Sequence, residues 1–261
     1  MNNFKLNKSI IGMIHVDALP GTPKYPGSVK SIIDKAISEA SIYVKNGIET
    51  VMIENMHDVP YLNRNVGPEI TSLMSIILYE VKKSFKIHCG IQILAGANKE
   101  ALAAAHSAGA DFIRAEGFVF AHVADEGIIN SDAGELLRYR KQIGAENILI
   151  FTDIKKKHSS HSITSDINIT DTAKAAKFFL SDGVIITGSS TGTETSLEEI
   201  ISVKQNVDIP LIAGSGITRE NVKTYFEYCD ALIIGSYFKK EGKWQNSIDS
   251  VRVKNFIKAI K

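Results

Sequence analysis

The chain of 261 residues carries 30 Lys and Arg against 29 Asp and Glu, so its formal net charge at pH 7 is +1. This balance, without a basic arm or an acidic tail, gives no reason to expect nucleic acid or an anionic membrane as a partner. No apolar run approaches the ~18 residues of a membrane-spanning helix, and the first residues lack the features of a signal peptide. We therefore predict a cytoplasmic protein with one domain over residues 1–261, and the sequence leaves open its association into homo-oligomers.

Short apolar runs alternate with amphipathic stretches along the whole chain. The apolar runs lie at 9–16, 50–55, 87–94, 111–116, 147–154, 183–188, 210–215 and 231–236. The helical stretches between and after them lie near 29–46, 68–84, 98–108, 131–143, 170–181, 196–205, 218–227 and 248–260, with Thr218 as the expected N-cap of the seventh. Eight such units predict an α/β fold, a closed parallel eight-stranded (β/α)8 TIM barrel. The competing open sheet would carry GxGxxG after its first strand, where this chain has HVDALPGTP.

Polar residues fall at the carboxyl ends of the predicted strands, where a barrel of this type places its active site. Because side chains alternate along a strand, one set faces the barrel interior. That set contains His15, Glu54, Gln92, Arg114, Glu116, Asp153, Lys155 and Thr187. Two acids and a lysine that converge on one barrel mouth favour a functional cluster, so Glu54, Asp153 and Lys155 are catalytic candidates. The further candidates are Arg114, Glu116 and His15. The alternatives are hydrogen-bonded barrel-end roles for His15 and Gln92 and a structural ion pair between Arg114 and Glu116.

Two predicted loops exceed ordinary connector length, at 54–69 and 153–170. Loops this long in a compact domain are usually lids or binding loops. The second contains Lys155, Lys156, Lys157, His158 and His161. We expect it to be mobile without ligand and to close over an anion, the alternative being a solvated basic loop.

Two glycine-serine turns end the last two strands, in IAGSGI and LIIGSYFK. In many barrels these turns bind phosphate through backbone amides, and glycine lets the main chain approach the anion. The predicted phosphate site consists of Gly214, Ser215, Gly216, Gly235 and Ser236, with Gly188 at the end of the sixth strand. We expect the amides of 214–217 and 235–237 to have few partners within the chain. The alternative is two ordinary tight turns.

These residues favour an enzyme that acts on a phosphorylated small metabolite, such as a sugar phosphate or a nucleotide. Glu54 and Asp153 would serve as general base and acid or as ligands of a divalent metal, and Lys155 or Arg114 would stabilise negative charge. Isomerase, lyase and hydrolase are not distinguished. No HxH or HExxH spacing predicts a metal site, and the two cysteines form no CxxC pair. The cofactor is unknown, with a divalent metal or a flavin left open.

Several blocks of the chain resemble the BtpA/SgcQ family over almost its full length. They include GMIHVDALPGTP (12–23), ENMHDVPY (54–61), FIRAEGFVFAHVADEGII (112–129), DIKKKHSS (153–160) and AGSGITRENV (213–222). The resemblance implies a TIM barrel akin to the ribulose-phosphate-binding barrels. The family name also implies a role in photosystem I biogenesis, so a non-enzymatic assembly factor is an alternative. A large exposed apolar patch would favour it, and stretches expected to be exposed, such as KKEGKWQN, are polar.

Overall fold

Eight parallel strands close into a barrel in the computed structural model, which describes residues 4–188 and 190–260. The barrel strands are β1 (Ser9–His15), β2 (Thr50–Glu54), β3 (His88–Gln92), β4 (Phe112–Ala115), β5 (Leu149–Ile154), β6 (Gly183–Ile186), β7 (Leu211–Ala213) and β8 (Ala231–Ile234). The helices are α1 (Val29–Lys45), α2 (Pro68–Ser84), α3 (Asn98–Ala108), α4 (Ala133–Gln142), α5 (Ile169–Phe178), α6 (Leu197–Asn206), α7 (Val222–Tyr228) and α8 (Ser250–Ile260). The predicted closed (β/α)8 barrel is confirmed.

The strands follow one another around the barrel in chain order, and β8 pairs with β1 to close it. The register aligns the polar ends of the first three strands, because His15 pairs with Glu54 and Glu54 pairs with Gln92. Their side chains therefore form one layer facing the barrel interior. This is the arrangement that the period of two along each strand predicts.

An apolar plug fills the barrel below that layer. The inward side chains are those of Ile11, Met13, Met52, Phe112, Phe151, Ile185, Ile212, Ala231 and Ile233. Phe4, before β1, stacks on the Phe112 ring with centroids 5.3 Å apart and closes the lower end. Gly90 on β3 makes room for Phe112, because a Cβ there would lie 2.1 Å from Cε2 of that ring. The packed interior leaves the upper mouth as the place where polar side chains gather.

Two features differ from the expectations. Helix α7 begins at Val222, not at Thr218, because 218–221 form a turn in which the Thr218 amide donates to Oδ1 of Asn221 (2.8 Å). A hairpin of His122–Ala124 and Gly127–Ile129 follows β4, and Ser159–Ser160 pairs with it as a third strand. This small sheet connects the long loop after β5 to the loop after β4.

No helix formed by residues 4–188 or 190–260 has both the length and the apolar character required to cross a membrane.

Candidate active site

The inward polar side chains surround a cavity of about 630 Å³ at the carboxyl ends of the strands. Of the predicted catalytic residues, His15, Glu54, Arg114 and Glu116 line it, and so do the predicted turn residues Gly214, Ser215, Gly216, Gly235 and Ser236. These four residues and both turns therefore share one cavity. Gly188 does not line this cavity. Its main chain is closely packed, because a Cβ added there would lie 2.3 Å from the Thr193 carbonyl oxygen.

His15 and Glu54 face each other on neighbouring strands. Nε2 of His15 lies 3.4 Å from Oε2 of Glu54, and both side chains are buried. Nδ1 of His15 lies 3.2 Å from the carbonyl oxygen of Trp244. Because a carbonyl only accepts, Nδ1 carries the proton of the neutral ring and the Nε2 lone pair faces Glu54.

Burial sets the protonation of this pair. Desolvation, followed by the charge of Lys239, holds the pKa of His15 well below its usual value, so the ring is neutral near pH 7. Desolvation also raises the pKa of Glu54, against the opposing charge of Arg114. The carboxyl group therefore retains a proton at a pH at which an exposed glutamate is ionised.

Arg114 is paired with Asp153, not with Glu116 as one interpretation of the sequence expected. Its Nε and Nη2 donate to the two Asp153 oxygens at 2.8 and 2.9 Å. Burial alone would lower the pKa of Arg114, but the charge of Asp153 and its hydrogen bond outweigh burial and raise this pKa. Asp153 itself lines a smaller cavity of about 20 Å³. Its carboxylate fixes the guanidinium at the main cavity and is not itself exposed there.

Glu116 belongs to a second polar group. Its Oε1 accepts a hydrogen bond from Nε2 of Gln92 (3.1 Å), and its Oε2 lies 3.3 Å from Nζ of Lys156. Burial raises the pKa of Glu116, with Lys156 as the main opposing influence. Buried oxygens that find no hydrogen-bond partner among residues 4–188 and 190–260 are Oε1 of Gln92, Oε2 of Glu116, Oε2 of Glu126 and Oγ1 of Thr187. The two glutamate oxygens face the charged amine of Lys156, at 3.3 and 3.9 Å, whereas Oε1 of Gln92 and Oγ1 of Thr187 are available to a ligand or water.

The expectation that Lys155 faces the main cavity is wrong. Strand β5 ends at Ile154, and Lys155 has a left-handed backbone with φ of 48°, so the alternation of side chains stops there. Nζ of Lys155 donates to the carbonyl oxygen of Thr164 (3.0 Å) beside the smaller cavity. The next two residues, Lys156 and Lys157, line the main cavity instead.

The two glycine-serine turns lie side by side, as the neighbouring positions of β7 and β8 require. Contrary to the prediction, the Gly214 amide is not free, because it donates a hydrogen bond to the Ile186 carbonyl oxygen (2.8 Å). Within the part of the chain that the structure describes, no hydrogen bond is donated by the backbone amides of Ser215, Gly216, Ile217, Ser236 and Tyr237. These amides can donate hydrogen bonds to a bound anion.

The glycines of the turns serve different purposes. Gly216 has φ of 67°, and a Cβ there would lie 2.2 Å from Cα of Glu194. A Cβ on Gly214 would lie 2.8 Å from Cγ2 of Ile185. A Cβ on Gly235 would make ordinary van der Waals contacts, at 3.5 Å with the His15 ring and 3.6 Å with Cγ of Met13, so of these three glycines only Gly235 has room for a Cβ. Packing requires the first two glycines, and Gly235 marks where a ligand approaches the main chain.

Sequence reasoning missed Arg252 on α8. This arginine lines the cavity, its Nε donates to the carbonyl of Tyr237 (2.6 Å), and its guanidinium stacks 4.8 Å from the centroid of the Tyr237 ring. Among the residues described, no carboxylate forms an ion pair with it. A cation held beside free amides suits an anionic ligand. No signal in SVRVKNF separates Arg252 from an ordinary helix-surface residue.

Within residues 4–188 and 190–260, no three His, Cys, Asp or Glu side chains are grouped so that they could hold a metal ion.

Sequence comparison places the chain among proteins of one family. The model of the BtpA family matches residues 6–261. The chain belongs to the BtpA family. An uncharacterized protein of Caenorhabditis elegans, whose name places it in mitochondria, is 52% identical over 256 residues, covering 96% of this chain and 92% of that protein. The photosystem I biogenesis protein BtpA of Synechocystis is 29% identical over 260 residues, covering 98% and 89% of the two chains. Since the worm relative carries a mitochondrial name, a cytoplasmic location for this chain stays a prediction.

Solved structures share the barrel at low sequence identity. Thiamine phosphate pyrophosphorylase from Pyrococcus furiosus matches with a TM-score of 0.54 and 11% identity, covering 97% of this chain and 96% of that one. N-acetylmannosamine-6-phosphate 2-epimerase from Clostridium perfringens matches with a TM-score of 0.54 and 14% identity, covering 88% and 87%. At this identity the likeness establishes the fold.

Proposed function

We propose that this protein is an enzyme that acts on a phosphorylated small metabolite in the cavity at the barrel mouth. One observation carries the proposal. The free amides of the β7 and β8 turns open on the same cavity as a neutral histidine and a carboxyl group of raised pKa. A site that binds phosphate at one side and exchanges protons at the other fits a phosphorylated substrate.

The phosphate end consists of main-chain donors and one cation. The amides of 215–217, the Ser236 hydroxyl and the Arg252 guanidinium supply donors to a group with several oxygens. Gly235 lets the anion approach within reach of His15. This end supplies binding energy and orientation rather than chemistry.

The acid–base end lies on β1, β2 and β4. Nε2 of His15 is the base, the carboxyl group of Glu54 is the acid, and the guanidinium of Arg114 stabilises an oxygen that becomes negative. Asp153 positions Arg114. Isomerases, lyases and hydrolases all use such groups, so the reaction within these classes is decided by assay.

Binding of inorganic phosphate tests the proposal without knowledge of the substrate. We expect phosphate to raise the melting temperature of the protein in a non-anionic buffer, since a ligand of the folded state stabilises it. Gly235→Asp removes this shift because it adds a negative charge beside the anion. Its Cβ would make no contact shorter than 3.5 Å, so we expect the variant to fold. Gly235→Asn is the matched control, of similar size without charge, and retains more of the shift. The proposal is wrong if folded Gly235→Asp binds phosphate and phosphorylated metabolites with the affinity of the wild type.

A non-enzymatic assembly role is the second candidate, and one observation favours it. At the end of α5, Phe178, Phe179 and Leu180 are 81%, 46% and 68% exposed, a run that the expectation of polar exposed stretches missed. This run precedes β6 and lies at the end of the barrel opposite to the cavity. Serine at all three positions leaves phosphate binding unchanged. Loss of co-migration with a larger complex in native extracts of the source cells, with phosphate binding intact, would support the assembly role.

A further inference from the structure

Three consecutive lysines follow β5, and their amines have different surroundings. Nζ of Lys155 is bound to the Thr164 carbonyl oxygen, as described above. Nζ of Lys156 lies 3.3 Å from Oε2 of Glu116 and 3.9 Å from Oε2 of Glu126. Lys157 lines the main cavity, and no described residue forms a hydrogen bond or an ion pair with its amine. Its amine is therefore free to meet a ligand.

Burial favours the neutral form of the Lys157 amine. Burial is the main influence that lowers the pKa of its amine, and the charge of Arg114 lowers it further, while Glu54, Asp153 and Glu116 act in the opposite direction. A lysine that is desolvated or placed beside another cation carries a larger fraction of unprotonated amine, which is the nucleophilic form. Lys157 has both features, and it is the member of the trio that lines the cavity without a protein partner.

We propose that Lys157 is a nucleophile that forms an imine with the carbonyl group of a phosphorylated aldehyde or ketone, an inference that rests on the proposed function and names its substrate class. The phosphate would lie at the β7 and β8 turns and the carbonyl carbon at the end of β5. The turn residue Gly235, the acid Glu54 and Lys157 all line the one cavity of about 630 Å³, which has room for a short sugar phosphate.

The covalent step needs only groups that line this cavity. The lone pair of the Lys157 nitrogen attacks the carbonyl carbon, and the carbonyl oxygen takes up a proton from the carboxyl group of Glu54. The nitrogen loses a proton to Nε2 of His15, and the imidazolium then gives this proton to the hydroxyl group, which leaves as water. The protonated imine that remains gives its N–H proton to the Glu54 carboxylate, so both side chains return to their starting forms. Carbonyl compound and amine thus become imine and water, with no oxidation or reduction. Glu54, whose pKa burial raises, is protonated where this donor is needed.

Reductive trapping tests the inference on the full chain. Dihydroxyacetone phosphate and glyceraldehyde 3-phosphate serve as probes, and sodium borohydride reduces any imine to a stable secondary amine. We expect one adduct per chain by intact mass, located on Lys157 by peptide mapping. Lys157→Met loses this adduct. Lys155→Met is the matched control and retains it, since that amine lies beside the smaller cavity. Glycerol 3-phosphate, which has the phosphate but no carbonyl, suppresses the labelling by competition.

The outcomes separate this inference from the proposed function. If glycerol 3-phosphate or inorganic phosphate raises the melting temperature and neither probe labels Lys157, the imine is wrong and the phosphate site stands. Labelling spread over exposed lysines and unchanged in Lys157→Met also overturns the imine. Labelling of Lys157 by dihydroxyacetone as strongly as by its phosphate, without protection by glycerol 3-phosphate, overturns the phosphorylated substrate in both proposals.

Discussion

Nε2 of His15 and Oε2 of Glu54 lie 3.4 Å apart at the buried ends of two neighbouring strands. The contact joins a base whose ring is neutral to an acid that retains its proton, because burial moves both pKa values toward the uncharged forms. Neither side chain therefore carries a buried charge in the resting state, in which Oε2 of Glu54 can donate a proton and Nε2 of His15 can accept one. This pair has consequences for stability as well as for chemistry.

Glu54→Gln should flatten the dependence of stability on pH. The folded state holds a proton on Glu54 that the unfolded chain releases above about pH 4.5, so the free energy of unfolding falls as the pH rises through the raised pKa of Glu54. Glutamine cannot ionise, so the variant lacks this fall in the free energy of unfolding. Urea unfolding at pH 5 to 8 measures the effect, and the exposed Glu49→Gln is the control with the wild-type slope. Glu116, whose pKa is also raised, leaves part of the slope in place. Equal slopes for wild type and Glu54→Gln would contradict the assignment.

Removal of one partner of the Arg114–Asp153 pair should be costly. Both side chains are buried, at 6% and 1% exposure, so Asp153→Ala leaves an uncompensated cation in the barrel mouth. We expect a loss of about 3–5 kcal/mol in the free energy of unfolding, and partial recovery in the double variant Arg114→Met with Asp153→Leu. Asp34→Asn, which breaks the exposed pair with Lys30, is the control and should cost no more than about 1 kcal/mol. A small effect of Asp153→Ala would show that the pair is not buried as described.

The period of two along a strand predicted most of the site. It placed His15, Glu54, Gln92 and Arg114 inward from the sequence alone, because each precedes the end of a regular strand or stands at it. It failed at Lys155, where a left-handed residue ends the alternation. Parity is a property of extended backbone and does not pass through a turn.

Contacts between distant segments account for the other misses. Asp153, not Glu116, pairs with Arg114, because the choice between two nearby carboxylates depends on side-chain geometry across strands. Arg252 and Trp244 reach the mouth from the segment after β8, and nothing local marks them. The hairpin at 122–129 pairs with residues about 35 positions later, a register that no short-range pattern encodes.

The contact between Gly90 and Phe112 should couple these two positions. A Cβ on Gly90 would lie 2.1 Å from the ring, so Gly90→Ala overpacks the barrel interior and should cost about 1–3 kcal/mol. Phe112→Leu, which shortens the ring side chain, should be less costly in the Gly90→Ala protein than in the wild type. A double-mutant cycle from urea unfolding measures this coupling. Gly134→Ala at the start of α4 is the control and should not destabilise. Additive effects of the first two substitutions would contradict the predicted packing.

Phosphate should slow hydrogen exchange in the loop between β5 and α5. This loop is attached at few points. Ser159 and Ser160 pair with the hairpin after β4, Lys156 contacts Glu116, and Nε2 of His158 accepts a hydrogen bond from the Thr191 amide (3.1 Å). Few contacts of this kind give a low free energy of local opening, so the loop amides should exchange early in the free protein.

An anion in the cavity adds a partner for Lys157 and thereby links the loop to the β7 and β8 turns. We expect the amides of 156–164 to exchange more slowly with saturating phosphate or dihydroxyacetone phosphate, while amides of β2 and α2 are unchanged. Mass spectrometry of peptides from this loop measures the difference. In Gly235→Asp, which should not bind the anion, the added ligand should leave loop exchange at the rate of the free protein. Equal loop exchange with and without a ligand that demonstrably binds the wild type would mean that the loop is no lid, and that the cavity is closed by other residues or stays open during the reaction.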